Sequence, residues 1–397
     1  MRGQAACASP PFPGTGRMAS YPMATTDTLP EADRLEGAPH PRETVMIHGH
    51  CAAEAEILQA FNSGRLHHAW MLTGPKGIGK ASLAWRIARF LLATPEDRGG
   101  MFAAPPPATL DVAGDHPVAR RLLQLAEPRH FLLRRGPNEK ETALSQVIAV
   151  DDVRKMKSFF ALSAADGGRR TAIIDALDDM NTASTNALLK LLEEPPAKVT
   201  LLLIAHRPAR LLPTIRSRCR ELRLTPLLAD DLARALAEAG GEVTPKDKTA
   251  LTELSAGSVG EAFRLTNLDG IRLYQSLVGL MTTLPRLDRP KALQLADLGA
   301  GKAVETFDLL LSLIDLFLAR LARQGVTGTA APEAAPGEAA LMARLAPGPG
   351  AGRSWADLAQ SLSARARRGK AVNLDPAALL MDTLLKIDDT AGSLAHR

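Results

Sequence analysis

The stretch GPKGIGKAS, residues 74 to 82, follows the apolar run of HHAWMLTG (67 to 74) and precedes SLAWRIARFLLA (82 to 93), where Leu83, Ile87, Phe90 and Leu91 fall at helical spacing. Strand, glycine-rich turn and helix in that order form the setting in which Gly-x4-Gly-Lys grips phosphate. Glycines let successive backbone N–H groups turn toward the oxygens, a lysine reaches the outer phosphates, and the helix N-terminus adds its partial positive charge. Gly74, Gly77, Gly79 and Lys80 supply these parts. The next position breaks the pattern. A Ser or Thr hydroxyl normally coordinates Mg²⁺ there, and this chain has Ala81. Ser82 comes one residue late, about 100° further round the helix, and is expected to point away. A tight strand-to-helix turn that binds nothing therefore remains open as the alternative.

Two further apolar runs, in RRTAIIDALDD (169 to 179) and KVTLLLIAHRP (198 to 208), read as strands separated by helices, which indicates an α/β domain with a mainly parallel sheet. The first ends at Asp175, the carboxylate expected beside a nucleotide's metal. Ala176 follows, where an active ATPase carries the glutamate that polarises water. Asp178 and Asp179 read as solvated charges at a helix start. Alanines at both catalytic positions predict no useful hydrolysis, with or without nucleotide binding.

A chain of 397 residues is too long for one ordinary core. Residues 1 to 40, rich in Pro, Gly, Ser, Thr and Ala, have the composition of a disordered tail, with Met18 and Met23 as alternative starts. An α/β domain is expected over 41–225, a small helical domain over 226–270 and a helical C-terminal domain over 271–397. Within the last, composition predicts flexible linkers near 325–352, and residues 95–117 read as a loop or insertion. In LLADDLARALAEAG, Leu228, Leu232 and Leu236 mark one helix face, with Gly240 at its end; Asp375 and Pro376 mark the start of the final helix. The run at 307–321 is too short to span a membrane and carries Asp308, Asp315 and Arg320, so it reads as a core helix. Aromatic residues at 4 % argue against a stacking platform for single strands, and +5 is only a mild charge excess. Cys7, Cys51 and Cys219 are too far apart for a metal site and fit a reducing interior, hence a cytoplasmic location.

TASTNALLKLLEEPP (182 to 196) is a helix stopped by Pro195 and Pro196, and PTIRSRCREL (213 to 222) is a helix-to-strand junction carrying Arg216, Arg218 and Arg220. An arginine at a subunit edge can stabilise charge developing on a neighbour's γ-phosphate, while an exposed basic turn is the plain alternative. The order GPKGIGK, IIDAL, NALLKLLEEPP, SRC resembles the clamp-loader branch of the AAA+ proteins from about residue 44 to 226, weakly through the small helical domain, and again in NLDPAALLMDTLL. The resemblance implies an AAA+ P-loop module with a parallel sheet, a small helical lid, and an all-α C-terminal collar that joins a hetero-pentamer.

Within that branch the alanine pattern resembles a non-hydrolysing, stator-like subunit of the DNA polymerase III holoenzyme. The implied partners are gamma/tau-type and delta subunits, with the sliding clamp and primer-template DNA reached through the complex, and no membrane. Arg218 matches the family's arginine finger, offered in trans to a neighbour's ATP, with Ser217 and Cys219 shaping the turn. No cofactor is required; ATP or ADP held without hydrolysis at Gly74, Gly77, Gly79, Lys80 and Asp175 is compatible with the motif. Zinc is not expected, since residues 91 to 130 lack the four cysteines some relatives use. His206 or Ala205 falls at the sensor position, Glu261 lies near the place of the lid's usual arginine, and Arg264 is displaced from it. Lys140, Arg154, Lys155 and Lys157 read equally as phosphate contacts or as a solvated helix face. An autonomous ATPase, of gamma/tau or helicase-loader type, is the competing reading; it needs Ser82 and Asp178 to replace the missing groups. A free-standing DNA-binding module is a third.

Overall fold

The computed structural model describes residues 31–95, 105–138, 140, 142–161, 167–299 and 304–395. The expected tail up to residue 30, with Met18 and Met23, lies outside them, as do residues 96–104 of the insertion. Two compact units divide the chain between Thr225 and Pro226.

The first unit holds a parallel five-stranded sheet of β1 (Ala69–Thr73), β2 (His130–Arg134), β3 (Arg170–Asp175), β4 (Val199–Ala205) and β5 (Arg220–Arg223), in the order β2-β3-β4-β1-β5. Its helices are α1 (Cys51–Asn62), α2 (Lys80–Ala93), α3 (Pro117–Leu123), α4 (Val150–Ala161), α5 (Thr182–Glu193) and α6 (Pro213–Arg216). Side chains alternate across each strand, so both faces need cover. Trp70, Leu72, Ile173, Leu202 and Ile204 pack with α1 and α2 residues such as Ile57, Leu83 and Ile87. Met71, Ala172, Ile174, Leu201 and Leu203 pack with Val153, Met156, Leu188 and Leu191 of α4 and α5. β1 and β4 are buried along their whole length, which explains their unbroken apolar sequence.

Residues 31 to 40 depart from the expected tail. Glu31 pairs with Arg42 at 2.7 Å and with Arg134 at 3.1 Å, and Asp33 pairs with Arg134. His40 is fully buried: its Nδ1 accepts the Arg42 N–H at 3.0 Å and its Nε2 lies 3.2 Å from Asp33. Charges tie this segment down, and a reading of apolar periodicity does not see them.

The second unit is helical: α7 (Ala229–Glu238), α8 (Lys248–Ser255), α9 (Val259–Asn267), α10 (Gly270–Met281), α11 (Arg289–Gly299), α12 (Val304–Thr327), α13 (Glu338–Leu345), α14 (Pro349–Ala371) and α15 (Pro376–Ala395). Leu232 and Leu236 are buried, Leu228 lies exposed before α7, and Gly240 takes φ +83° just past the helix. Asp375 Oδ2 accepts the Ala378 N–H at 2.9 Å, capping α15. The run at 307–321 lies within α12, with Leu310, Leu313, Ile314, Phe317 and Leu321 buried. Among the described residues no helix is long and apolar enough to cross a membrane.

Of the linkers expected near 325–352, residues 325–327, 338–345 and 349–352 are helix, while 328–337 are turns and irregular chain. A Cβ on Gly325 would lie 2.7 Å from Gly352 Cα, and one on Gly352 would lie 2.8 Å from Ala322 O. These glycines let α12 and α14 touch backbone to backbone, so their small size serves packing rather than flexibility. The expected division at 270 is bridged as well. Arg320 of α12 contacts Glu253 of α8 at 3.1 Å and Glu338 of α13 at 2.8 Å, and Tyr274 of α10 donates to Glu338 at 2.5 Å. Glu338 is buried at 1 % exposure, so this network ties helices from both sides of residue 270 into one body.

Candidate functional site

The phosphate loop leaves the C-terminal end of β1 and runs into α2. Gly74, Gly77 and Gly79 have φ of +139°, +78° and +102°, values at which a side chain would strain the backbone. A Cβ on Gly74 would also meet Leu224 O at 2.6 Å. Gly79 is the N-cap of α2, and Lys80 is its first residue. Lys80 is buried; its Nζ donates to Gly74 O at 2.7 Å and to Pro75 O. Burial lowers its pKa to about 8, with Asp175 and Asp178 pulling the other way. Asp175, at the end of β3, is pushed up to about 7, first by burial and then by the charge of Asp33. The structure therefore brings Lys80, in the loop of Gly74, Gly77 and Gly79, near Asp175, and sets Asp33, which sequence reading placed in a disordered tail, near Asp175 as well.

Ser82 and Asp178, the candidate replacements for the missing hydroxyl and glutamate, both have other partners in the structure. Ser82 Oγ lies 3.4 Å from Thr44 Oγ1, committed to the segment before α1. Ala176 is 2 % exposed and packs in the core with Ile173 and Ile204. Asp178 is occupied elsewhere: its carboxylate accepts the N–H groups of His206 at 2.6 Å and Arg207 at 2.9 Å, clamping the exit of β4. Asp179 pairs with Arg135 at 3.1 Å. The loop and helix N-terminus thus fit a nucleotide's phosphates, whereas a Mg²⁺ ion would find Asp175 without the customary hydroxyl.

His206 follows β4, and burial lowers its pKa to about 4, so it is a neutral ring at physiological pH. Glu261 holds Arg264 at 2.6 Å within α9. Arg154 and Lys155 are each paired three residues back, to Asp151 at 2.7 Å and Asp152 at 2.8 Å, the pattern of a solvated helix face. Among the described residues no group of three or more His, Cys, Asp or Glu is placed to hold a metal.

Arg218 sits elsewhere. β5 runs parallel to β1 with Trp70 opposite Arg220 and Thr73 opposite Arg223. Arg218 therefore precedes β5 at the N-terminal end of the sheet, while Gly74 follows β1 at the C-terminal end, about 10 Å of strand away. The guanidinium is partly exposed; Nη1 donates to Thr214 O at 3.1 Å and Nη2 lies 2.9 Å from Glu193 Oε1. Cys219 is half-buried, and burial pushes its thiol up to about 12, which disfavours the reactive thiolate. Sequence reading missed Glu193; its only signal was a place at the end of a helix whose partner lies some twenty-five residues on.

A parallel sheet in this order, a phosphate loop after its first strand and an acidic residue closing β3 define a P-loop module of the AAA+ type, carried here with a helical unit after it. Residues 50–228 match the family model described as DNA polymerase III, delta subunit. The chain is 37 % identical over 208 residues to the DNA polymerase III subunit delta' of Pseudomonas aeruginosa, covering 51 % of this chain and 56 % of that one. It is 30 % identical over 224 residues to the subunit delta' of Escherichia coli, covering 56 % and 61 %. Both matches span less than two thirds of the relative's length. A crystal structure of a DNA polymerase III gamma subunit-related protein from Thermotoga maritima superposes with a TM-score of 0.39 and 16 % identity, over 85 % of this chain and 99 % of that one, a score too low to bear on function. By these sequence matches residues 50–228 are similar to the DNA polymerase III delta-type subunits.

Proposed function

We propose that this chain is a non-hydrolysing, stator-like subunit of the replicative clamp loader. It stands beside a gamma/tau-type subunit, with a delta subunit elsewhere in a hetero-pentamer, and offers Arg218 to the neighbour's ATP while the sliding clamp is loaded onto primed DNA. The carrying observation is the pair Ala81 and Ala176; the contacts that Ser82 and Asp178 already make argue against those residues as replacements. The placement of Arg218 at the opposite end of the sheet from Gly74 supports action on another chain's nucleotide. The loop itself is suited to keeping ATP or ADP as a structural ligand, without zinc or any other required cofactor. The setting is the cytoplasm, where the replication machinery works.

Each residue has a separate task. Glycine-loop N–H groups and Lys80 hold phosphate on this chain; Arg218 stabilises charge on the neighbour's γ-phosphate as it transfers to water. Steady-state phosphate release by the isolated chain should stay at background, and turnover on the order of 1 per second would instead support the autonomous ATPase. In a reconstituted loader, Arg218→Ala should leave assembly intact and lower clamp- and primer-dependent ATP turnover by at least about tenfold. Unchanged turnover would remove Arg218 from the reaction.

A further inference from the structure

Arg218 is held at two points, and the second comes from another element. Nη1 donates to Thr214 O at 3.1 Å, one turn back in its own segment, and Nη2 lies 2.9 Å from Glu193 Oε1 at the last residue of α5. Both carriers are registered by one core: Leu188, Leu191 and Leu192 of α5 pack in the same cluster as Ile215 of α6, with Cys219 against it. Pro195 and Pro196 end α5 just beyond Glu193, which fixes where its carboxylate stands.

We infer that Glu193 is the positioning residue of the arginine finger: its carboxylate fixes the Arg218 guanidinium before a neighbour's phosphate arrives. The inference rests on the trans role proposed above for Arg218. A free arginine on a surface samples many rotamers and must lose that freedom when it meets phosphate. Anchoring two of its nitrogens to packed elements removes most of that loss in advance. Each terminal nitrogen keeps a second N–H for a phosphate oxygen. Fold stability is not a sufficient reason for the pair, because half-exposed ion pairs contribute little to it.

The test reconstitutes the full loader with Glu193→Ala, Glu193→Gln, Arg218→Ala and the double variant, and follows clamp- and primer-dependent ATP turnover together with the melting temperature of each variant chain. Glu193→Ala should lower kcat about fivefold to tenfold with KM for ATP and melting temperature unchanged. Glu193→Gln, whose amide oxygen accepts the same hydrogen bond, should recover most of the loss. The double variant should be no slower than Arg218→Ala alone, the signature of two residues acting as one. Full activity or faster turnover in Glu193→Ala, with Arg218→Ala impaired, would overturn the positioning role alone. Full activity in Arg218→Ala would instead overturn the reading on which it rests.

Discussion

At the residue scale the candidate phosphate loop lies beside charges with little solvent around them, Lys80 and Asp175. Asp175 ionises near 3.8 in the unfolded chain and near 7 in the folded one, with burial the largest cause and Asp33 the next. Between those values the folded form keeps a proton that the unfolded form has released, so this group's contribution to stability falls as pH rises toward 7. Asp175→Asn removes the effect. Urea unfolding should find the variant gaining on wild type as pH rises, with an advantage at pH 8 that exceeds the one at pH 5 by about 2–3 kcal/mol. A constant difference across that range would contradict the buried-charge account. The loop of Gly74, Gly77, Gly79 and Lys80 was legible in sequence because its positive-φ glycines and helix start follow from local backbone geometry. The clamp by Asp178 and the anchoring by Glu193 were not, since each joins residues 28 and 25 positions apart.

At the element scale, composition misled where small residues do opposite jobs. GVTGTAAPEAAPGEAA and APGPGAG read as flexible, yet Gly325 and Gly352 sit where α12 and α14 meet backbone to backbone. Nothing along the chain distinguishes a glycine that frees a backbone from one that makes room for another. Gly352→Val should destabilise the second unit by about 1–3 kcal/mol, seen as a lower melting temperature, because the atoms it would strike are backbone. Strands β1, β3 and β4 announced themselves by apolar runs. β2, His130–Arg134, was missed: three apolar residues between charged neighbours give too short a signal, and its pairing with β3 supplies the rest.

At the scale of the whole molecule, the chain divides at 225/226, and sequence periodicity showed the same change from strands to helices at Pro226. What it did not show is that 226–397 forms one unit, because the joining network of Arg320, Glu253, Tyr274 and Glu338 consists of polar residues scattered through apolar helices. Glu338→Ala would leave Arg320 buried without its main counter-charge, at a cost of about 3–5 kcal/mol. Calorimetry should show the transition of the second unit shifted down and that of the first unchanged.

The parallel sheet, with its glycine loop at one end and Arg218 at the other, gives the chain a head and a tail. In the ring proposed for it, such chains would meet head to tail, and each guanidinium would address a single junction. On the non-hydrolysing reading proposed above, two in succession would aim one arginine at a pocket without turnover, leaving a dead joint in the circuit. If the proposed role holds, the expected stoichiometry is one copy per ring, at the position where a motor subunit lies ahead of it.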